Sequence, residues 1–256
     1  MRLRGKVIII TGSTTGIGRA IATRCVAEGA KVLVHGRDRA HGETVVAQLG
    51  PAAVLHLDDL SDPACPARIA AAALQAFGRI DAVVNNAAIV GRSTLATATV
   101  DDFEYTMAVN VRAPLFLIQA ACAQLKAHEG CVLNIGSINA HSGEPTFLHY
   151  ATSKGALQTL SRNLANALGP DKVRVNHFNV GWVLTDNEYA KQVAAGLPAD
   201  WPEKVPAAYA PSGHIIQPEV IAAAAVYWLG DESKPVSGSV LELEQFSVYG
   251  RNPAKT

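Results

Sequence analysis

Residues 6–18 read KVIIITGSTTGIG, and this stretch decides the fold. The run at 6–11 is apolar without alternation, as expected of a strand buried on both faces of a parallel sheet. Gly12, Gly16 and Gly18 follow at once. Glycines there permit a tight turn and let the backbone approach a pyrophosphate, which rests at the start of the next helix. Ser13, Thr14, Thr15 and Ile17 complete the turn, so the whole segment from Gly12 to Gly18 is a candidate dinucleotide-binding element. A glycine triplet alone is a weak signal and fits a plain strand-to-helix turn. Here it follows a strand and opens a helix at about 16–28, the context the motif requires.

Outward from this stretch, short β-branched runs alternate with Ala-rich helical ones. Further strands are expected at 30–35, 52–57, 80–85, 131–136, 173–178 and 239–244, and helices at about 39–49, 61–77, 101–126, 149–168 and 217–229. Right-handed crossovers put such helices on both faces of the sheet. The expected architecture is α/β: a single doubly wound Rossmann-type domain over 1–256, with about seven parallel strands. The proline-rich stretch 181–217, with Trp182 and Trp201, breaks the rhythm. Its length suits a substrate loop or lid; a surface excursion packed on its own domain is the plainer reading.

The chain has 256 residues, 49% hydrophobic and 17% charged, enough apolar residues for a sizeable core. Lys+Arg and Asp+Glu both number 22, so no basic field exists to hold nucleic acid or an anionic membrane. The N-terminal apolar run is too short for a signal peptide, and the run at 220–230 is too short to span a bilayer. Cys25, Cys65, Cys122 and Cys131 show no CxxC spacing and read as reduced packing residues of a cytoplasmic protein. A structural disulfide or a metal site is the alternative.

The end of the second strand reports on the adenosine ribose. An acid there suits the 2′-hydroxyl of NAD, and a nearby arginine suits the 2′-phosphate of NADP. This chain has Gly36, then Arg37, with Arg39 close by, which favours NADP(H) over NAD(H). Asp38 could instead supply a carboxylate, and Arg37 could be a solvated turn residue. Asp59 and Leu60 are candidates to flank the adenine, and Ser61 and Asp62 to cap the helix that follows.

Tyr150 and Lys154 lie four residues apart, and therefore on one helix face. A lysine ammonium there favours the phenolate of a tyrosine whose ordinary pKa is about 10. Ser137, upstream, offers a hydroxyl for a carbonyl or alcohol oxygen. Taken singly, each has a bland reading: a solvated helix face, a strand-end turn and, for Asn110, a satisfied buried amide.

TGxxxGIG, Asn85-Asn86-Ala87-Ala88, Asn110, Ser137, Tyr150 and Lys154 together resemble the classical short-chain dehydrogenase/reductase family, over nearly the whole chain. The resemblance implies roles. Tyr150 would be the general acid/base, and Lys154 would lower its pKa and bind the nicotinamide ribose. Ser137 would orient the substrate oxygen, and Asn110 would hold a water in a proton relay. Asn86, Ala87 and Ala88 would line the adenosine ribose; Gly181, Val183 and Thr185 would flank the nicotinamide. Three departures stand out. Ala88 replaces the family's usual Gly, Val180-Gly181 replaces its Pro-Gly, and LELEQFSVYGRNPAKT (241–256) replaces its Asp-Gly-Gly. That tail is expected to pack on a neighbouring subunit or to close a substrate pocket.

The implied activity is hydride transfer between a nicotinamide cofactor and a secondary alcohol or ketone. The EP-x-F-x-HY stretch is similar to that of bacterial glucose dehydrogenases within the family. His141, Glu144 and His149 could serve a polyhydroxylated ligand, and Trp182 could face a sugar ring. A sugar or polyol is therefore favoured, although these polar groups could equally point to solvent. Leu197, Trp201 and Tyr209 would instead fit a 3-oxoacyl thioester or another hydrophobic ketone. A non-catalytic dinucleotide-binding regulator is a rival, opposed by the intact Asn-Ser-Tyr-Lys set. An extended-family sugar-nucleotide epimerase is disfavoured, because no C-terminal domain follows the seventh strand. Family analogy pairs the helices at 101–126 and 149–168 in a homodimer or tetramer.

Overall fold

The computed structural model describes residues 1–141 and 143–248. Seven strands alternate with helices: β1 (Val7–Ile10), α1 (Gly16–Ala27), β2 (Lys31–Gly36), α2 (Arg39–Leu49), β3 (Ala53–Leu57), α3 (Cys65–Phe77) and β4 (Ala82–Asn85). There follow α4 (Val100–Met107), α5 (Ala113–Ala127), β5 (Cys131–Ser137), α6 (Leu148–Leu168), β6 (Arg174–Val180), α7 (Asp186–Ala194), α8 (Pro218–Leu229) and β7 (Val240–Leu243). The strands form one sheet in the order β3-β2-β1-β4-β5-β6-β7, and every pairing is parallel. Strand order reverses between β1 and β4. In such sheets the crevice for ligands opens there, beyond the carboxyl ends of the strands.

Successive strand residues face opposite sides, so the sheet feeds two cores. Ile8, Ile10, Val32 and Val34 pack with α1 and α8 on one side. Ile9, Leu33 and Val83 pack with α3 and α5 on the other. This explains why the strands read as unbroken apolar runs.

Three elements depart from expectation. First, α3 begins at Cys65 rather than 61. Asp59 Oδ1 accepts from the Ser61 amide at 2.8 Å and Asp62 Oδ1 from that of Ala64 at 2.9 Å, which holds the segment in turns. Second, the helix expected over 101–126 is interrupted by a π-helical turn at Ala108–Arg112. Third, the 181–217 excursion contains α7. Thr185 caps it by accepting from the Glu188 amide at 3.1 Å, the Thr-x-x-Glu pattern of a helix start.

The run Val100–Ala127 is long and apolar enough, by length and composition, to cross a membrane. Half of its most apolar window is buried within the molecule, where α5 packs on α3. Of the tail, the residues up to 248 are described. Glu244 turns back so that its carboxylate accepts from the Trp182 amide at 3.3 Å, while 249–256 lie outside the described residues.

Candidate active site

The glycine turn is built by close packing. Gly12 and Gly16 have φ of 62° and 53°, the left-handed region that disfavours a side chain. A Cβ on Gly12 would stand 2.8 Å from the Ala87 Cα, so the turn lies directly against the segment after β4. Thr11 Oγ1 accepts from the amides of Asn86 and Ala87 at 3.0 and 3.1 Å. Asn86 Nδ2 donates to the carbonyls of Thr11 and Gly12 at 2.9 and 3.0 Å.

Beyond this joint a cavity of about 510 Å³ runs across the strand ends. Its wall includes Gly12, Thr14, Thr15, Gly16 and Ile17, then Arg37, Asp59 and Leu60, then Asn86, Ala87 and Ala88. Thr15, the N-cap of α1, makes no side-chain cap bond, and the first turn carries no acid. The first amides of α1 and the positive end of its dipole are therefore left for an anion. With Arg37 at one end and this helix start in the middle, the donor set fits a nicotinamide dinucleotide.

Two turn residues have other duties. Ser13 is fully buried; its hydroxyl donates to the Ile10 carbonyl at 2.7 Å and accepts from the His35 amide at 3.0 Å. It pins the turn to the sheet rather than facing the cleft. Gly18 lies behind the cleft, where a Cβ would meet Asn86 Nδ2 at 2.5 Å. His35 Nδ1 accepts from the Gly12 amide at 3.3 Å, and burial pushes this imidazole down to about 4, so it stays neutral near pH 7.

The other end of the cavity is walled by Tyr150, Lys154, Val180 and Thr185. Ser137 ends β5, and α6 presents Tyr150 and Lys154 one turn apart. All three are buried. Lys154 Nζ donates to the Ile135 carbonyl at 2.8 Å and lies 5.6 Å from the centre of the Tyr150 ring.

The charge pattern differs from expectation. Burial raises the Tyr150 phenol, with the Ser137 hydroxyl pulling the other way. Burial also pushes Lys154 down to about 8. Each group moves toward its neutral form because burial strips water from the charged form.

Asn110 stands in the π-helical turn. Its Nδ2 donates to the Ile89 carbonyl at 3.0 Å and to Ser153 Oγ at 2.9 Å, and its Oδ1 accepts from the Ile89 amide at 2.8 Å. It thus ties the segment after β4 to α6 and reaches the neighbour of Lys154 rather than the lysine.

Several expected contacts are not brought to the cleft. Gly181 packs on the Glu244 side chain, and Val183 bridges to Ile216; Val180 lines the wall in their place. His141 accepts from Asn179 Nδ2 at 2.8 Å and lies 3.8 Å from Glu242, turned toward β6 and β7. Glu144 accepts from the Thr146 amide and hydroxyl at 3.1 and 2.7 Å. His149 sets its ring edge-on to Phe103 at 5.6 Å. Trp182 stacks on Trp201 at 5.4 Å and donates from Nε1 to Glu188 at 2.9 Å. Conversely, Tyr105, Asn187, Glu188 and Lys191 line the cleft without having been expected there. The Thr185–Glu188 cap was the available signal for the last three, since it starts α7 on the cleft rim.

The model of the short chain dehydrogenase family matches residues 6–194. The NADP-dependent (R)-specific alcohol dehydrogenase of Lentilactobacillus kefiri is 34% identical over 249 residues, covering 93% of this chain and 94% of the relative. An L-rhamnose 1-dehydrogenase (NAD(P)(+)) of a Sphingomonas species is 31% identical over 245 residues, covering 93% and 94%. The crystal structure of a 3-ketoacyl-(acyl-carrier-protein) reductase from Brucella melitensis, complexed with NADH, superposes with a TM-score of 0.82 at 28% identity, covering 94% of this chain and 97% of that one. Fold, glycine turn and sequence likeness agree: the chain belongs to the classical short-chain dehydrogenase/reductase family and is an oxidoreductase.

Proposed function

We propose that the protein interconverts a secondary alcohol and its ketone with NADP(H) in preference to NAD(H), and that its substrate is a sugar or polyol. The observation that carries the reaction is the convergence of Tyr150 and Lys154 on the wall of the cavity that the glycine turn opens, with Ser137 acting on the phenol. A bound nicotinamide dinucleotide supplies hydride exchange with the substrate carbon. The residues Gly12, Thr14 to Ile17, Arg37, Asp59, Leu60 and Asn86 to Ala88 would hold it, with Thr185 and Val180 at its reactive end. The Ser137 hydroxyl orients the substrate oxygen. The protonated Tyr150 phenol donates to that oxygen during reduction and takes the proton back during oxidation. Lys154 contributes positive charge beside the phenol, and Asn110 holds α6 in register. Positioned proton transfer of this kind is worth about 10²–10⁴-fold.

Gly36 supports the NADP preference. A Cβ there would stand 2.5 Å from Thr14 Cγ2, so an acidic side chain at that position would have to displace the Thr14 side chain. Arg37, the next residue, brings a guanidinium to the cleft wall. The sugar reading draws on Asn187, Glu188 and Lys191, polar groups in the cleft wall that can pair with hydroxyls. It also draws on the L-rhamnose activity named for the Sphingomonas relative. A hydrophobic ketone or 3-oxoacyl thioester is the second reading, favoured by the aromatic cluster of Trp182, Trp201 and Tyr209. We take 181–217 as a lid on a single domain. The four free cysteines suit a reducing cytoplasm.

The deciding experiment follows nicotinamide absorbance over sugars, polyols and ketones with each cofactor. Turnover with NADP(H) and a polyol is the expected result. A strong preference for NADH removes the Arg37 argument, and turnover confined to acyl thioesters removes the sugar reading. We also propose a homo-oligomer, because Phe103 and Phe116 are exposed on α4 and α5. Sedimentation velocity at micromolar concentration is expected to return a dimer or tetramer; a monomer refutes it.

A further inference from the structure

Arg37 follows β2, and Tyr105 belongs to α4 on the other wall of the cleft. Arg37 Nη1 nevertheless donates to the Tyr105 hydroxyl at 2.8 Å. The bond spans the adenosine end of the cavity. We propose that Tyr105 is a cofactor-selecting residue, whose phenol holds the Arg37 guanidinium across the cleft so that its remaining N–H groups meet a phosphorylated ribose. The inference rests on the NADP(H) preference argued above.

The physical case is one of pre-organisation. An exposed arginine samples many rotamers, and fixing it on binding costs affinity. Arg37 is 60% exposed, so its own packing does not fix it. The phenol oxygen takes one of the five guanidinium N–H donors and leaves the others free for a phosphate. Tyr105 is itself held, because its ring packs on the core formed by α3 and α5. Asp59 is a poorer holder. It lies 3.7 Å from Arg37 and is half exposed, where ion pairs are weak, and its negative charge opposes a phosphate. Selection therefore depends on a neutral acceptor from the opposite wall. Tyr105 would touch the guanidinium and need not touch the cofactor.

The test is calorimetric and needs no turnover. Dissociation constants of adenosine 2′,5′-bisphosphate and 5′-AMP are measured for the wild type, Tyr105→Phe, Arg37→Met and the double variant. The readout is their ratio, so a general loss of folded protein does not mimic the effect. We expect the wild type to favour the bisphosphate, and Tyr105→Phe to shrink that preference about two- to tenfold. In the Arg37→Met background, Tyr105→Phe should leave the ratio where it was, because no guanidinium remains to be held. An unchanged ratio in Tyr105→Phe, or an equal loss in both backgrounds, overturns the role of Tyr105 while the NADP(H) preference stands. A wild type indifferent to the 2′-phosphate overturns that preference itself, before any substitution is made.

Discussion

Tyr150→Phe lowers turnover about 10²–10⁴-fold and leaves dinucleotide binding in place. The substitution removes one hydroxyl and keeps the ring, which packs against Phe147 at 5.8 Å. Only the proton donor is lost, so the loss should fall on kcat rather than on cofactor affinity. Stopped-flow turnover beside a cofactor titration separates the two, and undiminished kcat would sink the assignment of the phenol as acid/base. The same site sets a pH dependence. Burial holds Lys154 at about 8, so its ammonium is present below that pH and is lost above it. The wild-type kcat/KM for the cofactor reports the free enzyme, and is expected to decline as pH rises through about 8. Lys154→Met should abolish that limb; a limb that persists belongs to another group.

The second large effect is expected at Gly18. A Cβ there would overlap the Gly12 carbonyl oxygen and stand 2.5 Å from Asn86 Nδ2, within the joint between the glycine turn and β4. One of the two neighbours is backbone and cannot swing aside. Overpacking of this type costs about 1–3 kcal/mol. Displacing the Asn86 bond to Gly12 adds about 1 kcal/mol. In a chain of this length each kcal/mol lowers Tm by about 2–4 °C. Gly18→Ala should therefore melt about 4–16 °C lower and bind dinucleotide poorly. Gly155 is the contrast. Its nearest neighbour to a Cβ is the Ala140 carbonyl oxygen at 3.7 Å, so Gly155→Ala should hold or raise Tm. Equal melting of the two variants would show that the joint is looser than described.

The sheet was legible because burial on both faces leaves one mark, an unbroken apolar run such as VIII at Val7–Ile10. The family motifs located the cleft and brought Tyr150 and Lys154 to its wall for the same reason: they sit at strand ends and on one helix face, which spacing reveals. What spacing cannot reveal is which way a side chain turns once distant segments arrive. Spacing offers Ser13 to the cofactor, but its hydroxyl accepts from the His35 amide; it offers Gly181 likewise, and Glu244 packs there. His141 was within reach of the pocket in sequence, but Asn179 on β6 holds it elsewhere. Tyr105 was invisible because its partner Arg37 lies on another wall. The lowered acidity of the phenol has the same origin, since burial is a property of the assembled cleft.

The π-helical turn at Ala108–Arg112 fits one surplus residue into an otherwise continuous helical rod. Excising a single residue there would let the rod close its ordinary hydrogen-bond ladder, and one residue corresponds to about 100° of rotation. Asn110 clasps Ile89 and Ser153 from inside that turn, and Tyr105 projects from the turn before it. Changing the winding phase would thus swing the adenosine-side tyrosine and undo the asparagine clasp in one stroke. The length of this rod is itself a constraint on both ends of the cleft.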